Sequence, residues 1–291
     1  MTFSLCRYRG QKTRFADAIL DRIEVNGSTV LWDACAGSGA IALAAAARGV
    51  PPAQITIIEQ GSWGLFWTAM ASGAFDPTRF QQHLDAMPPA QQDATAYMKR
   101  LFTLPCSLVD APYTFFLLQS ASVHGSAFGH QVEGDTVRWT GSYSCAKYFT
   151  PTETSVRRYP TRVMPLAAEL MKRTRRTLEL LRGCAVIHRD VASVPPPGPD
   201  TVVYLDPPYP GTKGYSTDTQ VEFPRIEKWA RSCATNGARV YASGYEAWKG
   251  VQEEDVWSVG GSRMGGAGKA KPKRQELLMR IRSAIHDLKP L

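Results

Sequence analysis

No run of about 18 apolar residues occurs in the chain, so no segment reads as a membrane-spanning helix. Metal-binding cysteine pairs are also missing. The six cysteines, Cys6, Cys35, Cys106, Cys145, Cys184 and Cys233, are scattered, none forms a Cys-x-x-Cys pair, and no histidine stands at ligand spacing beside one. This argues against a zinc site; no metal is expected, and reduced thiols are. The opening MTFSLCRYRGQKTRF lacks an apolar core followed by a cleavage site, so no export signal and a cytoplasmic location are expected. Internal repeats are absent. Acids are the scarcer charge, 26 against 34 bases, for a formal net charge of +8. The bases cluster: Arg7, Arg9, Lys12 and Arg14; then Arg157, Arg158, Arg162, Lys172, Arg173, Arg175 and Arg176; then Arg263, Lys269, Lys271, Lys273 and Arg274. A polyanionic partner fits this distribution, although each cluster alone could equally be a solvated face.

What is present has ordinary globular composition: 291 residues, 44% hydrophobic and 21% charged, enough for one large domain or two small ones. Residues 13–25 carry apolar side chains at helical spacing, and 29–33 (TVLWD) read as a buried strand. A glycine turn at Ala36-Gly37-Ser38-Gly39, an alanine-rich helix and a second strand at 55–59 (ITIIE) follow. That is half of a nucleotide-binding α/β unit. From about 73 to 160 the periodicity weakens. Residues 115–118 predict a helix or a strand, and 136–148 predict β structure with a turn at Thr140-Gly141-Ser142. So long a stretch should be a subdomain of its own. Regular α/β structure then returns, with a helix over 161–182, strands at 184–188 and 201–205, a helix over 224–235 and a strand at 238–243. Two closing strands near 254–258 and 275–281 flank a Gly-rich loop at 260–268.

The chemistry concentrates at predicted strand ends. Asp206-Pro207-Pro208-Tyr209 terminates the apolar run Val202 to Leu205. Open α/β sheets bind ligands at that carboxyl edge. An exocyclic amine on a planar base is a poor nucleophile because its lone pair is delocalised into the ring. If the Asp206 carboxylate and the Pro207 carbonyl each accept one N–H, the nitrogen can pyramidalise toward an electrophile. Two prolines stiffen the carbonyl's direction, and Tyr209 can stack on the base. The turn at Gly37 and Gly39 lets a backbone approach a ligand and exposes a helix N-terminus. Asp33 would repel a diphosphate there but could bind an amine, and Glu59 could accept from ribose hydroxyls. An amine and a ribose without a diphosphate describe S-adenosylmethionine better than NAD. Asp190 follows the strand at 184–188 and suits either a ligand adenine amine or a turn cap.

In this order the elements resemble the Dam-type DNA adenine-N6 methyltransferases, the alpha group of amino-methylating enzymes. Tyr8-Arg9-Gly10-Gln11-Lys12 is similar to that family's opening element, and Asp33 to Gly39, including Ala36 and Ser38, to its cofactor loop. Glu59 resembles its ribose acid, Asp190 its third cofactor acid, and Lys273 to Leu278 its closing Lys-x-x-Glu-Leu-Leu strand. The match thins over 115–139. Gln119-Ser120 stand where the family has Asn-Arg, and Val123-His124-Gly125 where it has Phe-Asn-Gly.

The resemblance implies a Rossmann-like class I α/β fold with a seven-stranded, mostly parallel sheet flanked by helices. The catalytic domain would span 1–72 and 161–291, and a target-recognition domain of helices and a β-hairpin 73–160. It implies methyl transfer from S-adenosylmethionine to a flipped-out adenine in double-stranded DNA, in a bacterial or phage-infected cell. It leaves open whether the chain is solitary or has a cognate restriction endonuclease as partner, and a monomer or weak dimer goes with it. Asp206, Pro207, Pro208 and Tyr209 would be catalytic. Tyr8, Lys12, Asp33, Ala36, Gly37, Ser38, Gly39, Glu59, Asp190 and Asp206 would hold the cofactor. Arg7, Arg9, Gln119, His124, His130, Arg138, Lys147, Arg157 and Arg158 would face DNA. Cytosine-N4 methylation uses the same amine logic and stays open, as does a non-catalytic DNA-binding relative. Pro105-Cys106 could suggest cytosine-C5 chemistry, but that thiolate route has no use for Asp-Pro-Pro-Tyr.

Overall fold

In the computed structural model, residues 4–209, 223–262 and 274–283 are described. The Gly-rich stretch from 263 to 268 and the bases Arg263, Lys269, Lys271 and Lys273 lie outside them. Seven strands form one sheet, here numbered with the rest in chain order. They are β1 (Val30–Ala34), β2 (Ile55–Ile58), β6 (Ala185–Ile187), β7 (Thr201–Leu205), β8 (Arg239–Gly244), β9 (Val256–Ser262) and β10 (Arg274–Ile281). Their spatial order is β6-β2-β1-β7-β8-β10-β9. The first five run parallel, and β10 is antiparallel to both β8 and β9. Parallel strands are covered on both faces and so read as near-continuous apolar runs, as all five buried residues of β7 do.

Side-chain alternation splits the core in two. Val202 and Tyr204 of β7 point into a large cluster, and Val203 and Leu205 into a smaller one on the opposite face. The smaller side is covered by α9 (Phe223–Thr235), whose Trp229 Nε1 donates to Val194 O at 2.6 Å. The larger side holds α1 (Ala16–Arg22), α2 (Ala40–Ala47), α3 (Trp63–Ser72) and α8 (Ala167–Leu181). Helix α8 begins six residues later than the sequence reading placed it, beyond Pro165, because the residue before a proline avoids the helical region.

The middle segment contains α4 (Pro77–Asp85), α5 (Gln91–Thr103), α6 (Ala111–Ala121), α7 (Glu153–Arg158) and a three-stranded sheet. That sheet joins β3 (Cys106–Ser107), β5 (Thr136–Thr140) and β4 (Gly129–Glu133), in that order. Residues 115–118 are helical, and every residue of α6 is buried, which explains the missing amphipathic period. The hairpin turns at Gly134-Asp135, with Gly134 at φ 59°, rather than at Thr140-Gly141-Ser142. Residues 141–148 are not a strand. The segment shares its core with the main sheet: Phe116 stacks on Phe66 of α3 at 4.8 Å, and Phe115 meets Trp63 edge-on at 5.1 Å.

Candidate active site

The strand order reverses between β1 and β7, and there the loops that leave their carboxyl ends lie side by side. Asp206 N donates to Ala34 O at 3.2 Å, fixing the start of one loop against the end of the other strand. A cavity opens at this switch point, the expected ligand position in an open α/β sheet. Four acids line it, Asp33, Glu59, Asp190 and Asp206, together with the rings of Tyr8, Trp63, Phe115 and Phe128.

The first loop is shaped by its own neighbours. Gly37 (φ 50°) and Gly39 (φ 65°) occupy left-handed backbone that residues with a Cβ avoid. Added Cβ atoms would also meet rings, Tyr8 Cε1 at 2.7 Å from position 37 and Trp67 Cζ2 at 2.4 Å from position 39. Trp67 Nε1 donates to Gly37 O at 2.8 Å, and Gly37 N donates to Glu59 Oε2 at 2.7 Å. The other Glu59 oxygen accepts from Gly61 N at 2.7 Å. Burial raises the Glu59 carboxyl pKa, and these two N–H groups oppose the rise. Each oxygen keeps a further lone-pair site.

Helix α2 has no acid in its first turn and a glycine at its N-cap. Asp33, from the end of β1, supplies the missing acceptor: its Oδ2 takes the Ala42 N–H at 2.9 Å. Only 1% exposed, the Asp33 carboxyl is pushed up to about 8 by burial. The Ala42 N–H works against that, and the charges of Asp206 and Glu59 add to it. Asp190 caps the short 3-10 turn Val191–Ser193 through Ala192 N at 3.0 Å and pairs with Arg225 at 3.1 Å. The Cys35 thiol lies among the same acids and is held protonated by burial.

At the second loop, Lys12 Nζ lies 2.7 Å from both Asp206 oxygens and also donates to Gly10 O at 2.9 Å. Glu276 of β10, 3% exposed, sits 3.5 Å from the same ammonium. The Tyr209 hydroxyl donates to Glu276 Oε1 at 2.5 Å, with Asp206 Oδ1 at 3.1 Å. Burial and these carboxylates push the Tyr209 hydroxyl pKa far up, so it stays protonated. Glu276 was not singled out from the sequence as a site residue. Its only signal was a place in the closing strand motif.

Of the residues expected to hold a cofactor, Tyr8, Lys12, Asp33, Ala36, Gly37, Ser38, Glu59, Asp190 and Asp206 line the cavity; Gly39 stands behind it against Trp67. Pro208 lines it as well, whereas Pro207 is buried beside it and Tyr209 turns toward Glu276 and the ring of Tyr245 at 4.7 Å. The residues expected to face DNA are dispersed. Arg9 and Gln119 line the cavity, and Gln119 is fully buried with its Nε2 donating to Arg7 O at 3.3 Å. Arg7 is half-buried, with its Nη1 enclosed. His130 packs on Ser62 Oγ at 3.0 Å and stacks with His188 at 5.5 Å. Arg138 pairs with Glu133 on the hairpin, and His124, Lys147, Arg157 and Arg158 are exposed. Cys106 lies in β3 and does not line the cavity. Among the described residues no cluster of His, Cys, Asp or Glu could hold a metal ion, and no helix is long and apolar enough to cross a membrane.

A seven-stranded sheet in this order, with antiparallel β10 inserted between β8 and the edge strand β9 and with its cavity at the switch point, is the Rossmann-like class I methyltransferase fold. No family model and no curated protein matches the chain. Among solved structures it is similar to HI0767 of Haemophilus influenzae, described as a candidate methylase, at 10% identity and TM-score 0.33, covering 96% of this chain and 92% of that one. It is also similar to the rRNA methyltransferase AviRa of Streptomyces viridochromogenes, at 16% identity and TM-score 0.36, covering 94% and 86%. Likeness at this level carries no argument about substrate.

Proposed function

We propose that the chain is an S-adenosylmethionine-dependent methyltransferase acting on the exocyclic amine of a nucleobase, with adenine N6 in double-stranded DNA as its substrate. The observation that carries the reading is the acid-lined cavity directly beside Asp206-Pro207. Four carboxyl groups around one cavity, Asp33 among them ionising more readily beside a cation, favour a cationic ligand and disfavour a diphosphate. S-adenosylmethionine is such a cation and supplies an electrophilic methyl group. Glu59 suits its ribose, because both carboxylate oxygens already accept one N–H and retain room for a hydroxyl each.

The lone pairs of Asp206 define its share of the work. A carboxylate has about four acceptor sites. Lys12 takes one on each oxygen and the Tyr209 hydroxyl, shared with Glu276, stands over the second on Oδ1, leaving one on Oδ2. Asp206 can therefore accept one N–H of an amine, and the second must go elsewhere. The Pro207 carbonyl is the neighbouring acceptor, stiffened by Pro208. Two acceptors on one nitrogen draw its lone pair out of conjugation and hold it toward the cavity. A duplex base must leave the stack to reach them. The exposed Arg9, Arg14, Lys147, Arg157 and Arg158 suit phosphate contacts, which would make binding weaken steeply with salt.

The finer assignment, a Dam-type adenine-specific DNA enzyme of a bacterial or phage-infected cell, rests on the motif order. The test offers tritiated S-adenosylmethionine to the protein with duplex DNA, single-stranded DNA and RNA, followed by nucleoside analysis of the product. Label in N6-methyldeoxyadenosine is the expected result. Label in N4-methyldeoxycytidine or in RNA would correct the substrate. Tight DNA binding without any transfer would instead make the chain a non-catalytic DNA-binding protein.

A further inference from the structure

We infer that Glu276 is a positioning residue for methyl transfer, one that keeps Asp206 a strong acceptor for the substrate amine by drawing Lys12 and Tyr209 away from it; this rests on the function proposed above. The inference follows from counting charges and protons at Asp206. Two groups compete with a substrate for its oxygens, the Lys12 ammonium and the Tyr209 hydroxyl. Glu276 draws on both. It shares the ammonium at 3.5 Å and takes the closer contact of the hydroxyl, 2.5 Å against 3.1 Å to Asp206. A tyrosine has one proton to donate. While Glu276 is there to receive it, that proton is not fully committed to Asp206.

The position of Glu276 suits this role and little else. The residue is buried and does not line the cavity, so it does not touch a ligand there. Burying an acid is costly unless it has partners, and its partners among the described groups are Lys12 and Tyr209. Strand β10 holds it by antiparallel pairing to both β8 and β9. The ladder shifts register between Glu276 and Leu277, an irregularity of the kind that re-aims a side chain. Tyr204, near enough to feel the Glu276 charge, gives its own hydroxyl contact to Ser243, so it does not compete.

Without the Glu276 charge, Lys12 and Tyr209 would both settle on Asp206, making it a weaker acceptor for the amine. Turnover should fall while binding persists. Glu276→Gln keeps the volume but offers Tyr209 only a neutral amide oxygen, a weaker acceptor than the Asp206 carboxylate, so the hydroxyl proton shifts to Asp206. Expected are a kcat reduced about 10- to 100-fold, below the roughly 100- to 1000-fold that losing a whole transition-state hydrogen bond costs because this one is only weakened, and KM values for S-adenosylmethionine and DNA within a small factor of wild type. Thermal midpoints establish that the variant is folded. Glu276→Asp, which keeps the charge on a shorter arm, should recover part of kcat. Because Glu276 acts through Tyr209, the penalty of Glu276→Gln should shrink in a Tyr209→Phe background. A folded Glu276→Gln enzyme with wild-type kcat, equal losses in kcat and in binding, or strict additivity with Tyr209→Phe would each overturn the inference while leaving the proposed function standing. A wild-type protein that binds S-adenosylmethionine but transfers no methyl group would overturn both.

Discussion

Replacing Lys12 by methionine tests the heart of the site without any assumption about its reaction. Lys12 is 4% exposed, and its ammonium stands 2.7 Å from Asp206 and 3.5 Å from Glu276. At an effective dielectric of about 20, a pair at 2.7 Å has a raw attraction of about 6 kcal/mol. Much of that is offset by the desolvation of the groups involved, so the intact cluster adds little net stability. Removing only the cation is different, because two carboxylates are left without compensation. Breaking a buried pair in this way costs about 3–5 kcal/mol. In a chain of this size that corresponds to roughly 10 °C in Tm. Urea unfolding followed by tryptophan fluorescence between pH 4.5 and 8 reads the loss. It should be largest at pH 8 and shrink toward pH 4.5, because burial raises the Glu276 carboxyl pKa and protonation of Glu276 removes one of the uncompensated charges. Lys12→Met combined with Glu276→Gln should recover about 1–2 kcal/mol, since one uncompensated charge goes too. A Lys12→Met protein with wild-type midpoints at pH 8, or a deficit that grows on acidification, would refute the reasoning.

Three further outcomes follow from named contacts. The Asp33 carboxyl is raised from 3.8 to about 8, so between those values the native state holds more protons than the unfolded chain and stability falls as pH rises; Asp33→Asn should therefore gain on wild type from pH 5 to pH 8 in urea midpoints, and a loss over that range would contradict the shift. Gly39→Ala places a Cβ 2.4 Å from Trp67 at φ 65°, whereas Gly49→Ala, at φ 91°, meets nothing within 4 Å. The first should cost about 2–4 kcal/mol and the second about 1 kcal/mol, and equal losses would show that the Trp67 contact does not matter. Asp206→Ala should abolish methyl transfer while S-adenosylmethionine affinity, measured by equilibrium dialysis, stays within a small factor; retained wild-type turnover would remove Asp206 from the mechanism.

The strand-turn-helix units were legible because their signals are local. Thr201 to Leu205 is an uninterrupted apolar run, and Ala40 to Ala47 is a helix former throughout. Asp33, Glu59, Asp190 and Asp206 could be read as strand-end acids from their positions alone. The middle was harder for a physical reason. Helix α6 is buried on every side, so it has no polar face to set a period. The hairpin turn at Gly134-Asp135 follows a strand whose residues 131–133 are all exposed, which removes the apolar alternation that marks a strand. Gln119 is fully buried with Arg7 O as its partner, and such burial cannot be inferred for a polar residue whose partner is 112 positions away.

The sequence by itself determined the chemistry on offer: a carboxylate, two prolines and a tyrosine at a strand end, preceded by a glycine turn and by acids at other strand ends. Local apolar patterns are enough to place those residues along one sheet edge. Tertiary structure alone decided who stands around Asp206. Lys12 reaches it across 194 positions, and Tyr209 meets Glu276 across 67. Strands adjacent in a parallel sheet are joined by long crossovers, so contacts between their loops leave no trace in local spacing. Whether Asp206 is a free acceptor or an occupied one depends on those contacts, and only the assembled sheet brings them together.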